Sequence, residues 1–268
     1  MAESSGNVLI VAGSDSGGGA GIQADIKTVT ALGGYAATAV TALTAQNTRG
    51  VHGVLGIDPG FVRQQMRVVL EDIAINAIKT GMLHDGPVIA AVAEVLSAHR
   101  KLPVVVDPVM VAQSGAALLA EEAVADVKAQ LLPLASVLTP NIPEAEKLLG
   151  RKIPDVDAMR EAALELSRLG PEAVLLKGGH LSGEMVTDVL AGRGGVQVFA
   201  DPRIETRNTH GTGCTLASAI ATGLAQDLSV GEAVARARRY LRRALATARP
   251  LGGGEGPVNH GHTVRPFF

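Results

Sequence analysis

The sequence predicts an α/β protein in which helices cover both faces of a central, mostly parallel sheet. Apolar, β-branched runs of strand length recur along the chain. They are separated by segments of helix length, in which apolar residues are spaced by three and four positions. The strand-like runs are continuously apolar rather than alternating, which is typical of parallel strands that are buried on both faces.

Predicted strands and helices alternate over the first two thirds of the chain. The predicted strands are residues 8–12, 35–43, 51–57, 75–80, 104–106, 136–139 and 173–177. The predicted helices are residues 22–32, 61–73, 88–99, 123–132 and 157–169. Asp58-Pro59 and Gly86-Pro87 precede two of these helices and fit cap and first-turn positions, where a proline loses no hydrogen bond.

The remaining third of the chain completes the sheet and adds two long helices. Residues 185–190 and 195–200 flank a turn, which predicts a hairpin and therefore a short antiparallel edge. Residues 211–227 and 229–249 are predicted to be helical. No internal repeat and no linker rich in Pro, Gly and Ser divides the chain, so we expect residues 1–268 to form a single domain.

Composition and charge exclude several classes of function. The 268 residues are 47% hydrophobic and 19% charged, and the formal net charge is -2, from 24 basic and 26 acidic side chains. Nucleic acids and anionic membranes are bound by clustered cationic surfaces, which this balance does not supply. With no Trp, two Tyr and four Phe, the chain also has few aromatic platforms on which bases could stack. We expect no nucleic-acid partner.

Cysteine content and hydropathy bear on the compartment. The single cysteine, Cys214, cannot form an internal disulfide bond, which favours a reducing environment. Residues 1–7 form a short polar tail without the layout of a secretion signal. Apolar stretches such as residues 88–96 are far shorter than the ~20 residues needed to cross a bilayer. We therefore expect a cytoplasmic protein that does not interact with a membrane.

A glycine-rich segment, residues 13–21, follows the first predicted strand and leads into a helix that carries Asp25. Glycines let a backbone turn sharply and pass close to a ligand. The segment lacks the Gly-Lys-Ser/Thr end of a Walker A loop. Residues 19–24 match the dinucleotide pattern G-x-G-x-x-A, but they lie in the predicted helix start and no acidic residue follows about 20 positions later. A connection that binds no ligand is the alternative.

Residues 209–215 lead from a loop into a helix rich in small residues. The unpaired N–H groups of this helix start would point at one spot and form an anion site that carries about half a positive charge. The same groups would lower the pKa of the Cys214 thiol from its ~8.5 reference, so that it could act as a weak base. A small packed cysteine is the alternative. The residues of this predicted site are Gly211, Thr212, Gly213 and Cys214.

Further polar residues follow predicted strands, where ligands of open α/β sheets bind. Asn141 and Glu144 are three positions apart and could reach a hydrated Mg²⁺ through water, although a simple helix cap would use the same pair. Lys177 precedes two glycines and could lie over a polyphosphate; a surface lysine is the alternative. Asp107 places a carboxylate where it could bind metal-bound water or a substrate.

Gln46 follows another predicted strand. Its amide offers one acceptor and two donors in a plane, so it could pair with both the amino group and a ring nitrogen of an aminopyrimidine. A solvated glutamine is the alternative. The chain has no H-E-x-x-H motif and no cysteine pair for zinc, and no G-x-S-x-G elbow for a serine hydrolase.

The Asn141/Glu144 pair and the Gly-Thr-Gly-Cys signature at 211–214 resemble those of the ribokinase superfamily. Longer blocks are similar to the bacterial hydroxymethylpyrimidine/phosphomethylpyrimidine kinase family of thiamine biosynthesis, and the likeness runs from Val8 to about His262. These blocks are residues 13–25, 41–50, 79–83, 208–214 and 256–260.

This resemblance implies a three-layer α/β/α ribokinase-like fold, ATP and Mg²⁺ as cofactors, and a homodimer. It implies two successive phosphorylations of 4-amino-5-hydroxymethyl-2-methylpyrimidine, first at the hydroxyl and then at the monophosphate. The residues that it places around the pyrimidine are Gly13, Asp25, Gln46, Met82 and Val109. The residues that it assigns to nucleotide and Mg²⁺ are Lys177, Thr209, Asn141 and Glu144.

The same resemblance leaves two questions about the chemistry. Many superfamily members have an aspartate base where this chain has Cys214, whereas the pyrimidine kinases are similar to it in having cysteine. Two other functions fit the same residues: a pyridoxine/pyridoxal kinase, whose substrate has a ring and a hydroxymethyl group of similar size, and a pyrimidine sensor without catalysis.

Overall fold

The computed structural model describes residues 6–110, 119–120 and 123–265. Its strands are β1 (Asn7–Ala12), β2 (Tyr35–Val40), β3 (Ala42–Asn47), β4 (Gly50–Gly56), β5 (Ala77–Thr80), β6 (Val104–Val106), β7 (Val137–Leu138), β8 (Ala173–Leu176), β9 (Met185–Gly192) and β10 (Gly195–Pro202). Its helices are α1 (Gly21–Ala31), α2 (Pro59–Asp72), α3 (Gly86–Ala98), α4 (Ala123–Asp126), α5 (Ile142–Leu149), α6 (Val156–Ser167), α7 (Thr212–Ala225) and α8 (Val230–Ala246).

Eight strands form one sheet in the order β10-β9-β8-β7-β6-β5-β1-β2. All neighbours from β8 to β2 are parallel, whereas β9 is antiparallel to both β8 and β10. The predicted parallel sheet with an antiparallel edge is thereby confirmed. The two helix starts that were predicted from a proline are also confirmed. The side chains of Asp58 and Asp85 cap α2 and α3 there.

The prediction of one strand over residues 35–43 was wrong. β2 ends at Val40, and the chain turns at the buried Thr41, whose N–H donates to Ala12 O at 3.1 Å and whose hydroxyl donates to Met82 O at 2.6 Å. β3 then pairs antiparallel with β4 in a separate two-stranded sheet. The predicted strand 51–57 therefore lies outside the central sheet. The run from β2 into β3 is almost continuously apolar, so hydropathy does not reveal this turn.

The predicted helix 123–132 is present but irregular. It begins as α4, continues as a π-helix over Val127–Leu131 and ends as a 3₁₀ turn over Leu132–Leu134. Pro133 lies in that last turn. A proline cannot donate a backbone hydrogen bond, so a change of helix type at this end is the local response to it.

Two hydrophobic cores lie on opposite faces of the sheet. In β1, Leu9 and Val11 join one core, whereas Val8 and Ile10 join the other. The first core is completed by α2, α3, α5 and α6, and the second by α1, α7 and α8. Because side chains alternate across a strand, a strand that is apolar at every position requires two cores. The structure therefore has three layers, as predicted.

Helix α7 packs against β1, β5 and β6 on one side and against α1 and α8 on others. Small side chains make this close packing possible, and Ala217, Ala219 and Ala221 are fully buried. Gly223 is the tightest point: a Cβ there would come within 2.7 Å of Ala233 Cβ and 3.1 Å of Ala233 Cα. The position of the α7 start is thus fixed by packing along the whole helix.

None of the helices within the described ranges is long and apolar enough to span a bilayer.

We expect Gly223→Ala to destabilise the fold. Overpacking costs about 1–3 kcal/mol, which exceeds the gain of up to about 1 kcal/mol from replacing a helical glycine by alanine. Urea unfolding should therefore show a net loss of about 1 kcal/mol. Gly194→Ala is the matched control, because a Cβ at Gly194 meets open space. Equal stability of both variants would contradict this description of the α7–α8 contact.

Candidate active site

A cavity of about 460 Å³ opens at the carboxyl ends of the central strands. Gly13 follows β1, Asp107 follows β6, Asn141 follows β7 and Lys177 follows β8. The structure brings together most of the residues that the sequence singled out. Those that line the cavity are Gly13, Gln46, Met82, Asp107, Val109, Asn141, Glu144, Lys177, Gly211, Thr212, Gly213 and Cys214.

The start of α7 faces this cavity without a side-chain cap. Gly211 precedes the helix in a left-handed conformation, with φ 82°. The Thr212 N–H donates to Thr209 O at 3.3 Å, so it is partly engaged within the loop. Within the described part of the chain, the N–H groups of Gly213 and Cys214 find no acceptor. The predicted anion site therefore rests on fewer amides than the four expected.

The predicted acidification of Cys214 was wrong. The residue is partly exposed and lines the cavity, but burial of the thiol raises its pKa to about 12. The Lys79 ammonium and the Gly21 N–H act in the opposite direction, while Asp25 and Asp107 add to the rise. A helix start favours a thiolate, but here the cost of removing the charge from water outweighs that effect.

Lys177 lies between two carboxylates at one end of the cavity. Its Nζ donates to Asp107 Oδ1 at 2.9 Å, and the Thr139 hydroxyl donates to the same oxygen at 3.0 Å. Burial would lower the pKa of Lys177, but Asp107 and Glu144 raise it, which keeps the side chain protonated. A fixed ammonium of this kind can neutralise a phosphate oxygen.

Asn141 and Glu144 form a reciprocal cap at the start of α5. Asn141 Oδ1 accepts from the Glu144 N–H at 2.9 Å, and Glu144 Oε2 accepts from the Asn141 N–H at 2.8 Å. The helix cap weighed in the sequence analysis is therefore present. Burial raises the pKa of Glu144 to about 7; Lys177 lowers it and Asp107 raises it further.

This donor set is compatible with a hydrated Mg²⁺. The group offers carboxylate and amide oxygens, which Mg²⁺ prefers, and the cap bonds leave lone pairs that can accept from metal-bound water. A nearby divalent cation would also relieve the unfavourable burial of the Glu144 charge. No set of three or more His, Cys, Asp or Glu side chains arranged to hold a metal directly occurs among the described residues. Contacts through water fit this arrangement.

The side chain of Asp15 holds the glycine-rich segment in a clamp that was not predicted from the sequence. Asp15 Oδ2 accepts from the N–H groups of Gly19 and Ala20 and lies 2.8 Å from His210 Nε2, while Oδ1 accepts from the Gly17 N–H. Burial would raise the pKa of Asp15, but the bonds from His210, Ala20 and Gly17 hold it below its ordinary value. The clamp therefore joins residues 13–21 to the loop before α7.

Asp25 does not line the cavity, contrary to the role around the pyrimidine that the resemblance implied. It is fully buried; its Oδ2 accepts from Lys79 Nζ at 2.9 Å and its Oδ1 from the Ser218 hydroxyl at 2.6 Å. Lys79 lines the wall instead. Asp25 points from α1 into the space between β5 and α7, where it bonds to Lys79 and Ser218 behind the cavity wall.

A second cavity, of about 360 Å³, adjoins the first and shares Asn141, Lys177, Thr212 and Gly213 with it. Thr209, which the resemblance assigned to the nucleotide, lines this second cavity only. His180 lines both. Burial and Lys177 lower the pKa of His180, so its ring is neutral at physiological pH. The two cavities form one cleft with Lys177 and the α7 start at their junction.

Comparison with known proteins identifies the family. The sequence model for phosphomethylpyrimidine kinase matches residues 15–259. The chain belongs to the phosphomethylpyrimidine kinase family. It is 50% identical over 254 residues to a hydroxymethylpyrimidine/phosphomethylpyrimidine kinase of Streptomyces coelicolor, with 95% of this chain and 94% of the relative covered.

Two further relatives place the family in context. The chain is 56% identical over 255 residues to the thiamine biosynthesis bifunctional protein ThiED of Geobacter sulfurreducens; 95% of this chain matches, but it spans only 52% of that longer protein. The pyridoxal kinase of Bacillus subtilis, solved with ADP, matches with a TM-score of 0.87 and 36% identity over 95% of this chain and 97% of that one. This member of the phosphomethylpyrimidine kinase family therefore has the ribokinase-like fold that was predicted.

We expect Asp15→Asn to lower the free energy of unfolding by about 1–3 kcal/mol at neutral pH, because one of the two accepting oxygens is replaced by a donating amide group and its buried donors lose their partner. Since the folded pKa of Asp15 lies below its unfolded value, its contribution exists above the unfolded pKa and is lost as the pH falls through the folded pKa. The difference from wild type should therefore shrink in acid. Urea unfolding at several pH values measures this.

Asp157→Asn is the control for the Asp15 variant. The Asp157 side chain is 96% exposed, and its ion pair with Arg160 is long, at 3.9 Å. Exposed pairs of this kind contribute little. A cost for Asp15→Asn that stayed constant down to low pH would show that the carboxylate charge is not what holds the loop.

Proposed function

We propose that this chain is an ATP-dependent kinase that phosphorylates 4-amino-5-hydroxymethyl-2-methylpyrimidine to its monophosphate and then to its diphosphate. One observation carries the proposal: the uncapped start of α7 and the Lys177 ammonium meet at the junction of two cavities. Such a junction can hold a transferring phosphoryl group between a donor in one cavity and an acceptor in the other. The names of the relatives support the choice of substrate.

In this proposal the nucleotide occupies the cavity lined by Thr209. Its phosphates extend toward Lys177 and the free N–H groups of Gly213 and Cys214. Gly213 keeps this approach open, because a Cβ there would come within 3.3 Å of Lys177 Nζ and 3.6 Å of Asp107 Oδ2. The ADP complex of the Bacillus subtilis pyridoxal kinase supports a nucleotide site on this fold.

The pyrimidine would occupy the other cavity, between Gly13, Gln46, Met82 and Val109. Gly13 allows a flat ring to approach the backbone, since even a Cβ there would lie only 3.1 Å from Met82 Sδ. The Thr44 hydroxyl shares its one proton between Ser14 O, at 2.8 Å, and the Gln46 amide oxygen, at 3.2 Å. Gln46 is thus oriented within the wall and can pair with the polar edge of an aminopyrimidine.

Phosphoryl transfer requires mainly alignment and neutralisation of charge on the transferring oxygens. Lys177 and the α7 amides supply positive charge at that point. In a loose transition state the hydroxyl proton leaves late, so Cys214 can serve as the base despite its high pKa. Mg²⁺ would neutralise phosphate charge when bound; Glu144 and Asn141, through water, and Asp107 are the residues that would hold it.

We also propose that the protein is a cytoplasmic homodimer. Each subunit is a single kinase domain. The single cysteine supports a reducing compartment. Exposed apolar side chains on the two-stranded sheet, Leu43, Val54 and Leu55, support a contact between subunits, because clustered apolar exposure is unusual on a monomer.

The decisive experiment incubates the protein with ATP, Mg²⁺ and the hydroxymethylpyrimidine and weighs the products. We expect masses with one and then two added phosphates. Pyridoxal is tested in parallel, because a preference for it would assign the related vitamin-kinase activity instead. Failure to release ADP with either compound would indicate a binding protein without catalysis.

Gln46→Leu should weaken binding of the aminopyrimidine by about 1–3 kcal/mol, because polar edges of the buried ligand lose their partner. Steady-state kinetics should show a higher KM for the pyrimidine and an unchanged KM for ATP. Gln130→Leu is the control, because Gln130 lies in the π-helix and lines neither cavity. An unchanged KM for the pyrimidine in Gln46→Leu would move the ring to another part of the cavity.

Cys214→Ala should lower kcat by about 10²-fold or more, the usual contribution of a positioned acid or base. The α7 amides survive this substitution, so the KM for ATP should hold. Cys214→Ser separates loss of the base from loss of volume, and it should recover less than the full rate because a hydroxyl is a poorer base. Full activity of Cys214→Ala would remove the thiol from the reaction.

A further inference from the structure

The Lys79–Asp25 pair is the most deeply buried ion pair among the described residues, with both side chains fully inaccessible. Removing two charges from water costs several kcal/mol per ion, and a well-packed apolar pair is often at least as stable. A stability role alone therefore does not explain these residues. Lys79 lines the same cavity as Cys214, which points to a role in the reaction.

One direct bond holds the Lys79 ammonium, and a second holds the carboxylate to which it is bonded. Asp25 accepts from its Nζ at 2.9 Å, and Ser218, one turn after Cys214 on α7, donates to the other oxygen of Asp25 at 2.6 Å. The chain also has glycine at position 81, where a Cβ would lie 2.8 Å from Lys79 Nζ. The ammonium is thus tied to α1 and α7 while it lines the same cavity as Cys214.

Charged groups face the Cys214 thiol from several elements. They are Lys79 on β5, Asp25 on α1, Asp107 after β6 and Lys177 after β8, together with the Gly21 N–H. Lys79 opposes the effect of burial more strongly than the Gly21 N–H does. Lys177 is bonded to Asp107 and faces the proposed nucleotide. Lys79 therefore remains as the cation whose main neighbour in the cavity is the thiol.

We propose that Lys79, held by Asp25, is a positioning residue that stabilises the thiolate of Cys214 and so enables it to accept the substrate proton. This inference rests on the proposed function. In the step, the hydroxyl oxygen forms a bond to the γ-phosphorus and the bond from that phosphorus to the bridging oxygen of ADP breaks. The hydroxyl proton passes to the Cys214 sulfur, so charge and protons balance.

The protonation of Lys79 supports this role. Burial would lower the pKa of Lys79, but the negative charges of Asp25, Cys214 and Asp107 raise it well above its ordinary value. The ammonium therefore persists at every pH at which the kinase could work. Burial raises the pKa of Asp25 and Asp107 adds to the rise, while the Lys79 ammonium and the Ser218 hydroxyl act in the opposite direction.

Alkylation of the thiol tests the proposal without any substrate. Because Cys214 is the only cysteine in the chain, the rate of modification by iodoacetamide reports its thiolate fraction directly. Lys79→Met removes the charge at similar length. One pKa unit is a tenfold change in thiolate fraction, and we expect alkylation at about pH 8 to slow by roughly fivefold or more. Lys101→Met, at an exposed lysine, is the matched control and should leave the rate unchanged.

Lys79→Met leaves the Asp25 carboxylate without its cation and could unfold the protein. A second variant, Lys79→Met with Asp25→Asn, removes both charges of this pair. Circular dichroism confirms the fold of each. The double variant should be alkylated more slowly than wild type but faster than Lys79→Met, because Asp25 raises the pKa of the thiol and its loss partly offsets the loss of Lys79. Its kcat should fall while its KM for ATP holds. A folded Lys79→Met variant with the pH profile of the wild-type thiol, or a folded double variant alkylated at least as fast as wild type, would overturn the proposal.

Failure of this inference and failure of the proposed function give different results. If the chain phosphorylates no pyrimidine, the alkylation profiles still report whether Lys79 controls the thiol. If the profiles do not change but product forms normally in wild type, the kinase assignment stands and Lys79 is a structural residue only.

Discussion

The start of α7 has to remain uncapped, and much of the surrounding structure serves that requirement. Gly211 can turn the chain with φ 82° because it has no Cβ, which would otherwise collide with the carbonyl of Gly19. Thr215 bonds to Gly211 O at 2.7 Å from within the helix and leaves the amides that face the cavity free. The Asp15–His210 contact holds the preceding loop in place. Side chains thus bind the backbone around the proposed anion site and leave the site itself open.

Hydropathy predicts the sheet well because burial on both faces leaves a direct mark on the sequence. In β1, the side chains that enter the two cores are all apolar, and the neighbouring strands show the same pattern. The turn at Thr41 leaves no such mark, since it depends on bonds to Ala12 and Met82, which are distant in sequence. Local pattern therefore predicts which segments are strands better than it predicts where a strand leaves its sheet.

The predicted site residues lie together because strand ends converge, but their electrostatic states could not be predicted. Placing Cys214 at a helix start indicated an acidic thiol; the density of atoms around it, a tertiary property, reverses the effect. Asp25 shows the same limit. Its position in a matched block suggested the pyrimidine, whereas the partner that decides its orientation, Lys79, lies 54 positions away.

Two groups of charged side chains lie along the first cavity. Lys79 lines its wall and is paired with Asp25 behind that wall. Near the second cavity one ammonium, Lys177, which lines both cavities, faces the carboxylates of Asp107 and Glu144, which line the first. With its pKa raised to about 7, Glu144 is only partly ionised at neutral pH. A bare polyphosphate would push it toward protonation, whereas a cation-bound one would favour its charge.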